Sequence, residues 1–242
     1  MSTANNRQII LDTETTGMNM IGVHYEGHRI IEIGAVEVIN RRLTGNNFHM
    51  YLKPDRLVDP EAFGVHGIAD EFLADKPMFG DIVDEFLDYI RGAELVIHNA
   101  SFDIGFMDYE FGMLNRGIGK TETFCKITDS LAMARKMFPG KRNSLDALCS
   151  RYEIDNSKRT LHGALLDAEI LSDVFLMMTG GQTSLAFAHE SDRQGSNGET
   201  IQRIARPASA LRVIHASDEE TMAHEQRLDL VQKKGGSCLW RG

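Results

Sequence analysis

Asp12 and Glu14 stand two residues apart at the end of an apolar run in IILDTETTG, residues 9–17, which breaks at Gly17. Residues two apart on a strand share a face. The pair therefore lies either on a solvated rim or, if half buried, in mutual repulsion that a proton or a cation must relieve. A divalent metal ion is the natural cation for paired carboxylates. A third carboxylate, Asp103, follows in LVIHNASFDIGF, residues 95–106, where an apolar strand gives way to a helical period. Open sheets present functional groups at such strand ends, although an aspartate there also serves as a plain helix-start residue favoured by the helix dipole. The fourth, Asp167, shares LHGALLDAEI, residues 161–170, with His162. Five helical residues separate two side chains by ~140°, so both face one site only if His162 lies on the approach to the helix.

Three distant segments must be brought together by the elements between them. Residues 7–12, 30–39 and 47–53 read as strands, with Gly45-Asn46 as a turn between the last two, and an antiparallel meander is their simplest arrangement. Apolar positions Ile82, Val83, Phe86, Leu87 and Ile90 recur at helical spacing in 79–91, residues 95–98 form a short buried strand, and 102–115 returns to helical period. Further helices are predicted at 129–138, 144–152 and 163–178. Strands first, then helix–strand alternation, predict an α/β fold: one mixed sheet flanked by helices.

The chain has 242 residues, 42% hydrophobic and 25% charged, and a net charge of −9. That excludes a generally basic nucleic-acid-binding surface, but not a nucleic-acid enzyme whose carboxylates are covered by metal. No apolar run reaches the ~18–20 residues that span a bilayer, and MSTANNRQ lacks a signal-peptide core, so the expected location is cytoplasmic. Cys125, Cys149 and Cys238 follow no metal-ligand spacing and read as structural thiols. Residues 1–180 carry 18 Lys/Arg against 27 Asp/Glu, whereas 181–242 carry 8 against 8. Gly180-Gly181 stops a helix, and 189–199 is small and polar. The expected division is a catalytic domain at 1–180, a linker segment at 181–199 and a tail at 200–242. Segment 135–159 has seven Lys/Arg against three Asp/Glu just before His162, which is either a solvated face or a phosphate-tracking rim.

LDTETTG, HNASFD and HGALLDA, in this order, resemble the three motifs of the DEDD exonuclease superfamily, and His162 marks its histidine-bearing branch. Over nearly its full length the chain is similar to the proofreading subunits of bacterial replicative DNA polymerases. The resemblance implies a ribonuclease-H-like mixed sheet and 3′–5′ exonuclease activity on DNA ends, single-stranded or frayed. It also implies two divalent ions, Mg²⁺ or Mn²⁺, held by Asp12, Glu14, Asp103 and Asp167, with Asp12 bridging and Asp103 binding directly or through water. His162, the histidine of the third motif, whose side-chain type ordinarily titrates near neutrality, becomes the candidate general base. Thr15, Thr16 and His66 (in VHGI, 65–68) resemble positions lining the terminal-nucleotide pocket; Phe102 offers a stacking surface or simple core, and Asn99 holds the loop. QTSLAF, 182–187, resembles a sliding-clamp docking peptide, with Gln182, Leu185 and Phe187 as anchors, or else folds back on the domain. Beyond it, 200–242 is expected to order on the polymerase catalytic subunit, and a small third core subunit stays open as a partner. A free-standing ribonuclease of the superfamily would read the same at the five site residues, but has no evident use for the tail. A non-catalytic assembly subunit is disfavoured by the presence of all five residue types.

Overall fold

The computed structural model describes residues 7–157, 159, 161–180 and 215–241, and divides the chain into two units, Met1–Ala186 and Phe187–Gly242. The anchors Gln182, Leu185 and Phe187 lie outside the described residues.

In the first unit, β1 (Arg7–Thr15), β2 (Ile30–Ile39), β3 (Arg42–Leu43) and β4 (Phe48–Tyr51) come first, followed by helices α1 (Pro60–His66), α2 (Asp70–Leu73) and α3 (Phe79–Ile90). Alternation follows: β5 (Glu94–Ile97), α4 (Ala100–Met113), β6 (Lys126–Asp129), α5 (Ser130–Met137), α6 (Leu145–Tyr152) and α7 (Ala164–Gly180). The sheet runs β3-β2-β1-β5-β6, with β4 also on β2; β1–β2, β2–β3 and β2–β4 are antiparallel, and β1–β5 and β5–β6 parallel. It is the predicted mixed sheet. β3 and β4 share one edge of β2: β4 is the expected third meander strand, and the two-residue β3 is an addition to it.

The period of two in β1 explains the layers. Ile9 and Leu11 enter a core with Phe86 of α3 and Phe106 of α4, whereas Ile10 enters another with Leu148 of α6 and Leu171 and Val174 of α7. By the same alternation Asp12 and Glu14 continue the row of Ile10, toward α7.

Three boundaries differ from expectation. β1 continues to Thr15, so both carboxylates lie within the strand, still paired with β2. The chain reverses at Asn40-Arg41, both at positive φ (51° and 64°), rather than at Gly45-Asn46, which falls between β3 and β4. Two positive φ values make a hairpin turn that matches strand twist, here without the glycine that usually signals it. α4 begins at Ala100, two residues early, because Asn99 adopts the left-handed conformation (φ 75°) and turns the chain straight from β5 into the helix. α1, α2 and β6 were not anticipated.

In the second unit, α8 (Asp218–Gly235) opens with a reciprocal cap in which Ser217 Oγ accepts from Glu220 N–H and the Glu220 carboxylate accepts from Ser217 N–H. Leu239 and Trp240, in a 3₁₀ turn, are 94% and 84% exposed.

Candidate active site

β1 and β5 pair only from Gln8–Glu94 to Ile10–Val96. Beyond Ile10 the strands part, leaving the crevice that open sheets form at the carboxyl ends of parallel strands. Asp103, in the first turn of α4, enters it: one carboxylate oxygen accepts Thr13 N–H (3.1 Å) and the Thr13 hydroxyl (2.7 Å).

Asp167 arrives from the other layer. The start of α7 lies directly on β2, where a Cβ at Gly34 would sit 2.0 Å from Leu165 N, so only glycine fits. Glu32, 2% exposed, holds that helix end by accepting Ala164 N–H with Oε2 (3.1 Å), while its Oε1 pairs with His49 Nε2 (2.8 Å). Gly34 pairs with Asp12 and Glu32 with Glu14 across the β1–β2 ladder, so α7 is set down beside both carboxylates. His162 precedes the helix, as its spacing from Asp167 requires, and its backbone N–H donates to the Val65 carbonyl (3.1 Å). Glu14, His162 and Asp167 each offer a ligand atom, all within 4.8 Å of one another.

The four carboxylates are not equivalent. Burial, reinforced by Asp103, Glu14 and Asp167, holds Asp12 well above the usual carboxylate range. Burial and the facing Glu32 push Glu14 up to about 8. Burial lifts Asp103 to about 7 against the opposing Thr13 hydrogen bonds. Asp167 goes the other way: burial would raise it, but the hydrogen bonds and charge of Arg159, with His162, bring it below its ordinary value. Arg159 Nε meets Asp167 Oδ1 at 2.5 Å and Nη2 meets Oδ2 at 2.7 Å. Carboxylates that burial and mutual repulsion hold above their ordinary range, gathered with Asp167 beside an exposed imidazole, are a donor set suited to a divalent cation.

Two openings meet here. A polar cleft is lined by Asp12, His98, Arg135, Lys141, His162 and Asp167, among others. A mainly apolar pocket is lined by Glu14, Thr15, Met18, Val65, His66 and Phe102, among others. His66 is buried; its Nδ1 accepts Ile68 N–H (3.0 Å), so Nε2 carries the proton, and it makes no hydrogen bond of ordinary geometry, although the Thr15 backbone lies close enough to act on the ring. A buried donor so weakly engaged in a pocket is unusual. Phe102 is partly core, against Phe106 (5.0 Å between ring centres), and partly pocket wall, with His24 stacked on it at 5.3 Å. Thr15 Oγ1 donates to Gly17 O (3.0 Å) beside the pocket. Thr16 is not brought to it: fully buried, its hydroxyl accepts Arg29 N–H (3.0 Å) and ties the end of β1 to β2. Asn99 is exposed at the head of α4. Of the basic segment, Arg135, Lys141 and Arg159 reach the cleft, whereas Arg151 folds onto Asn143 (3.2 Å) and the Phe138 ring.

Sequence reasoning missed Glu32 and His24, and held Arg159 only as one member of the basic segment 135–159, without its pairing to Asp167. Glu32 had a signal, a lone acid inside the apolar strand IIEIGAV; Arg159 had its place in the basic run before His162, though no spacing points it at Asp167, and His24 had none.

The fold and site define a nuclease of the mixed-sheet exonuclease class, and comparison with known proteins agrees. The family model described as "Exonuclease" matches residues 9–175. "Exonuclease X in complex with 5′ overhanging duplex DNA" aligns at TM-score 0.54 and 27% identity, over 72% of this chain and 91% of that one. The nuclease domain of 3′hExo, a DEDDh family member bound to rAMP, shares the fold at TM-score 0.61 and 15% identity, over 74% and 94%. The DNA polymerase III subunit epsilon of Salmonella typhimurium strain LT2 is 83% identical over 242 residues, all of both chains. The chain belongs to the exonuclease family and, within it, to the DNA polymerase III epsilon-subunit family of proofreading 3′–5′ exonucleases.

Proposed function

We propose that this chain removes mispaired 3′-terminal nucleotides from DNA by hydrolysis at two divalent ions, Mg²⁺ or Mn²⁺, within a replicative polymerase complex in the cytoplasm. The observation that carries this reading is the convergence of Asp12, Glu14, Asp103, Asp167 and His162 where β1 and β5 part. Asp12, Glu14, Asp103 and Asp167 would hold the ions. Bound there, the ions supply charge neutralisation, an activated water and leaving-group stabilisation. His162, exposed on the approach to α7, takes the proton of the attacking water.

The apolar pocket receives the terminal nucleoside: Phe102 offers a face and the weakly engaged His66 Nε2–H a donor, with no base-specific pattern, which suits removal of any nucleotide. Arg135 and Lys141 line the polar cleft as phosphate contacts. Mismatch preference follows from fraying, since an unpaired end is cheaper to deliver.

Residues 1–180 act as the nuclease domain, 182–187 dock on the sliding clamp, and the tail tethers the domain to the polymerase catalytic subunit. Support for the tether is the exposed Leu239-Trp240 pair beside a well-capped helix. A small third core subunit would bind the nuclease domain. Release of mononucleotides from 3′-labelled single-stranded DNA, dependent on Mn²⁺ or Mg²⁺, tests the activity. Release from 5′ ends, or preference for RNA, would overturn it. A chain ending at residue 180 should keep hydrolysis and lose capture of the polymerase subunit, while Leu185→Ala with Phe187→Ala should weaken clamp binding alone.

A further inference from the structure

Arg159 is the strongest feature that this chemistry leaves unused. Its side chain is 8% exposed and forks onto both oxygens of Asp167, at 2.5 and 2.7 Å. The same guanidinium lies 2.9 Å from His162 Nδ1 and, through Nη1, 2.9 Å from Asp146 Oδ1 on α6. Bidentate pairing is the strongest way to hold a carboxylate with an organic cation. Here it occupies the carboxylate that, with Glu14 and His162, forms a group fit to hold a metal ion. A guanidinium bonded to both oxygens takes up lone pairs that a divalent ion needs, and its positive charge repels that ion. Asp146 is different. It is 60% exposed, belongs to none of the four expected ligand positions, and lies on the cleft wall with Arg135 and Lys141. Arg159 can release Asp167 and keep Asp146.

We propose that Arg159 is a resident cation of the active site. Before metal binds, it holds Asp167 in place and partly cancels the repulsion of the buried carboxylates. An incoming divalent ion competes with it for Asp167 and displaces it. Released, it stays tethered to Asp146 on the cleft wall that it already lines with Arg135 and Lys141, and its charge, no longer neutralised by Asp167, is free to face the substrate phosphates. Site loading and strengthening of the phosphate rim then become one exchange. The inference rests on the metal-dependent reading above.

The test is titration of the full chain with Mn²⁺ by calorimetry at one fixed pH, with thermal melting of the metal-free protein alongside. Arg159→Gln should lower the metal-free melting temperature and tighten Mn²⁺ binding by about tenfold, as removal of a competing ligand does. Arg159→Lys, a point charge that cannot fork, should fall between. Asp146→Asn, which removes the alternative partner, should weaken Mn²⁺ binding severalfold, and that effect should vanish in the Arg159→Gln background, as a coupled pair requires. The Michaelis constant for single-stranded DNA should rise in Arg159→Gln. Unchanged or weaker Mn²⁺ binding in Arg159→Gln overturns the proposal. So does an Asp146→Asn effect that is the same with and without Arg159, a readout that holds if Arg159→Gln folds poorly, since Arg159→Lys can replace it in the cycle. Failure of the wild-type chain to bind Mn²⁺ at all overturns the metal reading itself and is seen before any variant is made.

Discussion

The polar cleft and the apolar pocket share one strand and divide the work between them. Asp12 lines the cleft of about 580 Å³ with Arg135, Lys141 and Asp167; Glu14 lines the pocket of about 410 Å³ with Met18, Val65, His66 and Phe102. Two residues of strand advance the chain ~6.6 Å, enough to pass from one opening to the next while both carboxylates keep the same face. The register shift at Glu14/Thr15 falls at that passage, and bulges commonly re-aim side chains beside active sites. One opening is suited to charge and the other to an apolar face. A nucleotide has one of each, so its scissile bond is naturally placed between them, where the carboxylates gather.

Substitutions at the shared wall should have the largest effect. Asp12→Ala or Asp167→Ala should reduce hydrolysis beyond the ~10⁴-fold that loss of a general base costs at most; turnover above about a tenth of wild type in either would break the two-ion assignment. The two should part in metal-free stability. Asp12→Ala relieves repulsion and should melt at or above wild type, whereas Asp167→Ala removes the bidentate partner of Arg159 and should melt lower.

His162→Ala should lower turnover by ~10²–10⁴-fold while Mn²⁺ binding, followed by calorimetry, persists. Loss of both together would make His162 a ligand rather than a base.

The pH dependence of the metal-free protein sharpens the contrast among the carboxylates. Glu14 rises from 4.5 to about 8 and Asp103 from 3.8 to about 7. A group held above its unfolded value contributes stability that is fully present below that value and lost as pH rises through the folded one. The melting temperature should therefore fall from about pH 4 to pH 8 on their account. Asp167, held below its ordinary value, acts oppositely, its contribution disappearing only as pH falls below 3.8. Saturating Mg²⁺ should flatten the fall above neutrality, and metal binding near pH 7 should release protons, measurable as a dependence of calorimetric heat on buffer ionisation. A flat metal-free profile would contradict the buried, protonated cluster.

The smallest effects should separate the two openings. His66→Ala should raise the Michaelis constant by roughly tenfold, the worth of about one hydrogen bond, with little change in salt dependence. Lys141→Ala should instead reduce the slope of log affinity for single strands against log salt by ~0.7. Exchange of these two signatures would reverse the assignment of the openings.

Much of the site was legible because it is written in local patterns. The period of two places Asp12 and Glu14 on one face, and the spacing of His162 from Asp167 demands that the histidine precede the helix, as it does. α1 was missed although its start and stop are both written, Asp59-Pro60 before it and Gly67 at φ 70° after it; its apolar positions are too few to show a period. β6 is four residues at a sheet edge with no alternation to betray it.

By itself the sequence determined the elements that carry the chemistry, the face each acid takes and the division of charge along the chain, because periodicity, turn residues and charge act between near neighbours. Only the tertiary structure decided that β1 and β5 part after Ile10, that Gly34 admits the start of α7, that Glu32 holds it there, and that Arg159 forks onto Asp167. Each of these joins groups far apart in the chain or on an irregular segment, and depends on close approach and burial. Burial sets the charge of a carboxylate, and no spacing along a sequence encodes it.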